Sequence, residues 1–146
     1  MSSEKIRIGF VGVGTMGQCA HLKNYAALGE CKVVALAELR PELARRVANR
    51  YEVPAVYESH EQMLETEDLN GIVASQPYHR HGVLVPDLAE AGVPIFTEKP
   101  LAGSVEVGQR VLEAVQTAGI AHMVGYHKLS DPATERAIRE IERLKR

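Results

Sequence analysis

Apolar residues come in short runs along this chain, separated by more polar stretches at helical spacing. Ile6–Val11 is β-branched and apolar with no breaker, and predicts a strand. Thr15–Leu28 follows as a helix stopped by Gly29. Lys32–Ala37 is nearly continuously apolar, as expected of a strand buried on both faces of a parallel sheet. Pro41 opens a helix to about Arg50, because proline suits a first turn. Ala55–Tyr57 reads as a short strand, and Ser59 with Gln62 makes a capping box for a brief helix. Gly71–Ser75 is a further apolar strand. Tyr78–Ala91 carries Leu84, Leu88 and Ala91 at helical spacing, but Pro86 interrupts it. That predicts a kink, or a regular helix starting only at Pro86. Val93–Thr97 is a strand. Val105, Gly108, Leu112, Val115 and Ala118 share one face of a helix over Ser104–Ala118, capped by Gly119. Ile120–Val124 is the last strand.

This βαβα alternation with short connections predicts an α/β fold: a doubly wound parallel sheet of Rossmann type, in three α/β/α layers. It accounts for residues 1–125 as one domain. The stretch 126–146 differs in character. Asp131 and Pro132 fit the N-cap and first position of a helix whose apolar stripe is Ala137, Ile138, Ile141 and Leu144. The stripe either packs back on the sheet or meets a partner chain or an absent domain.

Composition adds exclusions. At 146 residues the chain can bury a substantial core. A net charge of −2 with the signs mixed points to neither a nucleic-acid nor a membrane surface. Five residues before the first strand leave no room for a secretory segment, and no apolar run approaches membrane-spanning length. The expectation is a cytoplasmic protein. Cys19 and Cys31 are then expected to be reduced and buried rather than a redox pair. No Cys-x-x-Cys occurs, and His79 and His81, two apart, point to different helix faces, so no metal site is expected.

The chemistry gathers where strands end. After the first strand comes Gly12-Val13-Gly14-Thr15-Met16-Gly17, a Gly-x-Gly-x-x-Gly turn opening a helix. Gly12 permits the tight turn, Gly14 lets a pyrophosphate approach the backbone, and Gly17 allows close packing; the amides of the new helix then hold phosphates. Glycine loops also serve as plain turns, so context decides. Glu38 ends the second strand, 21 positions after Gly17, where a carboxylate hydrogen-bonds a ribose diol and favours NAD over NADP. Arg40 beside it could accommodate a 2′-phosphate, which leaves NADP possible. Gln76, Pro77 and Tyr78 leave the fourth strand towards the same edge, and His81 is either a helix-terminal residue or part of the cleft. Glu98-Lys99-Pro100 leaves the fifth. Lys99 could hold a ribose hydroxyl or polarise a substrate oxygen, with Glu98 pairing with it or with the cofactor.

In order, Gly12–Gly17, Glu38, Gln76-Pro77, Glu98-Lys99-Pro100, and Gly125-Tyr126-His127-Lys128 with Asp131-Pro132 resemble the N-terminal half of the Gfo/Idh/MocA oxidoreductases. These are the glucose–fructose oxidoreductase and inositol dehydrogenase family, and the resemblance covers the whole chain. It implies hydride transfer between NAD(P) and a hydroxyl carbon of a sugar, cyclitol or similar small molecule. Lys99 would be the catalytic lysine near nicotinamide and substrate. Gly12, Gly14, Thr15, Met16, Gly17, Glu38, Gln76, Pro77, Glu98 and Lys99 would form the cofactor site. Tyr126, His127 and Lys128 would lie on the substrate side at a domain junction. Gln76 stands where the family commonly has threonine, and His127 where it often has asparagine. The family's second domain, which carries most substrate contacts, the usual Asp…His pair and commonly the oligomer interface, has no counterpart here. The alternatives are a non-catalytic dinucleotide-binding or regulatory module, and a methyltransferase-like fold using Glu38 on another nucleoside.

Overall fold

Among the residues described by the computed structural model, 4–145, six strands form a sheet in the order β3-β2-β1-β4-β5-β6. They are β1 (Ile6–Val11), β2 (Cys31–Ala37), β3 (Ala55–Tyr57), β4 (Gly71–Ala74), β5 (Ile95–Thr97) and β6 (His122–Val124). Every pairing is parallel. The chain winds outward from β1 through β2 and β3, then returns to the other side of β1 as β4. That reversal opens a crevice beyond the carboxyl ends of β1 and β4.

Alternation along the strands feeds two cores. Ile8 and Phe10 of β1, Val33 and Leu36 of β2 and Val73 of β4 pack with Leu22, Val47 and Ala48 on one side. Val11, Ala35, Ala37, Ile72, Ala74 and Ile95 face Met63, Leu84, Leu88, Val111 and Val115 on the other. Between Ile8 and Gly9 the register slips: Ile8 pairs with Val33 but Gly9 with Ala35, so β2 holds one extra residue. The bulge explains why Val33 and Leu36, three apart, share a face.

The helices are α1 (Lys23–Ala27), α2 (Pro41–Tyr51), α3 (His60–Thr66), α4 (His81–Ala89), α5 (Val105–Ala118) and α6 (Pro132–Leu144). Ser59 and Asp131 cap their helices as the sequence reading has it, and Ser104 caps α5 as well. Ser59 Oγ accepts from Gln62 N–H at 3.3 Å, Ser104 Oγ from Val107 N–H at 3.3 Å, and Asp131 Oδ1 from Ala133 N–H at 2.9 Å. Gly119 closes α5 at φ +66°.

Four expectations change. The helix after the glycine loop holds a π-helical segment, Gly17–Leu22, ahead of α1. Cys19 lies on that segment and is exposed; only Cys31 is buried. Regular helix starts at His81, after a 3₁₀ turn over Tyr78–Arg80, and continues through Pro86 rather than beginning there. Finally, α6 does not pack back on the sheet. None of its residues is buried, and Ile138, Ile141 and Leu144 are exposed.

Candidate functional site

The crevice is built from backbone outward. Gly12 leaves β1 at φ +85°, a left-handed conformation that glycine adopts without strain. A Cβ there would overlap the Gln76 amide and lie 2.9 Å from Ser75 O. Its N–H donates to Ala37 O at 2.9 Å, and Ser75 N–H donates to Val11 O at 3.0 Å, so the ends of β1, β2 and β4 are tied together. A Cβ on Gly17 would sit 2.8 Å from Gly12 O, which shows how tightly the turn folds back. Gly14 is different. A Cβ there would meet only Arg40 Nη2, at 3.9 Å, and would otherwise project into open cleft.

Gln18 N–H turns back to Gly14 O at 3.0 Å, and it is the first amide of the new helix to do so. The amides before it form the unpartnered N-terminus that suits an anion. The donor set and the open space at Gly14 thus fit a dinucleotide pyrophosphate.

Glu38 is 7% exposed, at the end of β2. Its Oε2 accepts from Val13 N–H at 3.1 Å and from Arg40 Nη2 at 3.0 Å. Its Oε1 accepts from Arg40 N–H at 3.1 Å and Arg40 Nε at 2.8 Å. Burial pushes the carboxyl pKa up, but the Arg40 side chain and the two amides outweigh it and hold the group below the usual carboxylate range. Glu38 is therefore an anion fixed at the cleft by Arg40, whose Nη2 would lie 3.9 Å from a Cβ on Gly14.

Gly12, Gly14, Thr15, Met16, Gly17, Glu38, Gln76, Pro77, Glu98 and Lys99 all border one cleft of about 790 Å³. The structure thus brings together every residue expected to contact the cofactor. Ser75, Tyr78 and Arg80 border it too, and Glu58, Ser59, His60 and Glu61 extend its rim beyond β3. Tyr126, His127 and Lys128 do not line it. They follow β6 and are exposed, and Lys128 Nζ lies 3.5 Å from Asp131 Oδ2. Gly125 N–H donates to Thr97 O at 2.9 Å, so they stand beside the strand that delivers Lys99.

Two histidines complete the geometry. His81 is fully buried, with Nδ1 2.9 Å from Leu101 O and Nε2 3.1 Å from Gln76 O. It is a strut between the loops after β4 and β5, not a cleft residue. His21 is the one sequence reasoning missed. Its Nε2 lies 2.5 Å from Glu98 Oε1, so Glu98 pairs with a helix residue rather than with Lys99. Nothing local in the sequence signals a pair 77 residues apart. Among the described residues no group of His, Cys, Asp and Glu is arranged to hold a metal, and no helix is long and apolar enough to cross a membrane.

Residues 6–126 match the model of an oxidoreductase family with an NAD-binding Rossmann fold. The chain belongs to the Gfo/Idh/MocA oxidoreductase family. Its dinucleotide is NAD, as the family description and the cleft agree. Levoglucosan dehydrogenase of Pseudarthrobacter phenanthrenivorans is 32% identical over 95% of this chain and 37% of its own length. An inositol 2-dehydrogenase/D-chiro-inositol 3-dehydrogenase of Shouchella clausii is 32% identical over 78% of this chain and 33% of its own. The WlbA dehydrogenase from Bordetella pertussis, solved with NADH and UDP-GlcNAcA, superposes with a TM-score of 0.89 at 25% identity, covering 96% of this chain and 42% of that one. The Gfo/Idh/MocA chain described here thus spans between a third and about two fifths of these relatives.

Proposed function

We propose that this chain is the cofactor-binding part of a cytoplasmic oxidoreductase that moves a hydride between NAD and a hydroxyl-bearing carbon of a sugar, cyclitol or similar polyol. The observation that carries the reading is the meeting of Gly14, Glu38 and Lys99 on one cleft. When bound, NAD supplies the hydride acceptor or donor. The chain's own residues do the rest. The amides ahead of Gln18 receive the pyrophosphate, and Glu38 accepts from ribose hydroxyls. Its four acceptor positions are already filled, so Arg40 gives up part of its two-pronged contact when the ribose arrives. Lys99 is exposed at the cleft, and no carboxylate pairs with its ammonium among the described residues. It is free to donate to a substrate oxygen and to stabilise negative charge developing there. Tyr126, His127 and Lys128 stand outside the cleft and would meet substrate from its open side. The names of the levoglucosan and inositol dehydrogenases support the substrate class.

The test is a Lys99→Ala substitution in the full-length protein, assayed with NAD and a panel of sugars and cyclitols. The reading expects kcat/KM to fall on the order of 10²-fold, by more than the affinity for NADH falls. Undiminished turnover would remove Lys99 from the chemistry. No turnover of any panel member by the unsubstituted protein would favour a non-catalytic module.

A further inference from the structure

The lysine at the centre of this reading has a carboxylate as its sequence neighbour, yet it is not neutralised by it. His21 projects from the π-helical segment, and its ring meets the edge of Phe96 at a centroid separation of 4.9 Å. Its Nε2 must carry the hydrogen, because the partner 2.5 Å away is a carboxylate oxygen of Glu98. The other oxygen, Oε2, accepts from Lys99 N–H at 3.1 Å. Both side chains are largely buried, 15% and 13% exposed, so the contact is shielded from solvent. The Lys99 side chain is left exposed at the cleft.

We propose that His21 is a positioning residue that acts through Glu98: by anchoring the carboxylate, it keeps the Lys99 ammonium free for substrate and cofactor. The proposal deepens the functional reading and rests on it for the role of Lys99. Without the imidazole, Glu98 loses its strongest hydrogen-bond donor and presents a loose anion one residue from a loose cation. The two side chains then pair, and the cleft loses its free donor. The same link joins the segment carrying the pyrophosphate amides to the loop carrying Lys99. A π-helical turn is where a helix departs from regular spacing, often at functional sites.

The test uses this chain and two readouts. Acylation of Lys99 by acetic anhydride, followed by peptide mass spectrometry, reports the freedom of the amine without reference to any cofactor. NADH titration reports the site. His21→Leu should slow Lys99 acylation about two- to fivefold, the range expected for an exposed ion pair, and weaken NADH binding. Adding Glu98→Gln should restore the acylation rate, because a neutral amide does not capture the ammonium; a purely structural role for His21 gives no such rescue. His21→Gln, which keeps a donor, should behave like the unsubstituted chain. If His21→Leu fails to fold, His21→Asn, too short to reach Glu98, takes its place. Unchanged acylation in the variant lacking the contact overturns the proposal, as does a double variant no more reactive than the single. Failure of the unsubstituted chain to bind NADH would count against the NAD site and leave the acylation comparison standing.

Discussion

Gly12 and Gly14 sit two residues apart and answer to different forces, so one substitution has opposite signatures at the two sites. Gly12 holds φ +85° with Gln76 and Ser75 packed where a Cβ would go. Gly12→Ala should cost about 1–3 kcal/mol of stability or more, read as a lowered thermal midpoint. Gly14 has no positive φ and no close neighbour on that side. Gly14→Ala should leave stability within about 0.5 kcal/mol yet weaken NADH binding by about tenfold or more, because the methyl occupies the space meant for phosphate. A Gly14→Ala chain that binds NADH as well as the parent would refute that placement.

His122 gives a pH signature at the same scale. It is partly buried beside Thr97 Oγ1, 2.9 Å from Nε2. Burial, aided by nearby His81, pushes its pKa below the ordinary 6.5. The folded state thus keeps it neutral where the unfolded chain takes up a proton. Its contribution is complete above the unfolded pKa and is lost as pH falls through the folded one. Denaturant midpoints at about pH 7.5 and about pH 5.5 should show a loss on acidification that His122→Gln reduces. An equal loss in the variant would assign it to other groups.

At the scale of elements, what was legible in the sequence was what backbone geometry dictates locally. The glycine turn, the caps at Ser59 and Asp131, and the strand alternation each rest on residues within a few positions of one another, and the acid closing β2 on a fixed spacing from the turn. What was not legible depends on departures from regular period or on distant pairing. An i→i+5 turn adds a residue per turn, so an α-helical reading cannot place the side chains of Gly17–Leu22. That turn exposes Cys19, which was expected to be buried, and presents His21 to Glu98. The bulge in β2 has the same character. Helix α6 shows the limit of amphipathic pattern: the stripe is real, but a stripe does not name what covers it. Because Ile141 is half exposed, Ile141→Glu should change the stability of this chain by no more than about 0.5 kcal/mol. A loss of several times that, by chemical denaturation, would mean that α6 docks on the sheet after all.

At the scale of the molecule, the winding of the sheet turns local signals into one site. Strand order reverses at β1, and the loops after β1, β2, β4 and β5 all reach the same crevice. Residues spread over nearly ninety positions, from Gly12 to Lys99, become neighbours for that reason alone. The substrate-side candidates lie one strand further out, beyond β6. The most direct test is a fluorescence titration of the chain with NADH and, separately, with NADPH. The account predicts saturable binding of NADH at a single site, with NADPH weaker by about tenfold because the Glu38 carboxylate opposes a 2′-phosphate. Absence of saturable NADH binding, or tighter binding of NADPH, would contradict it.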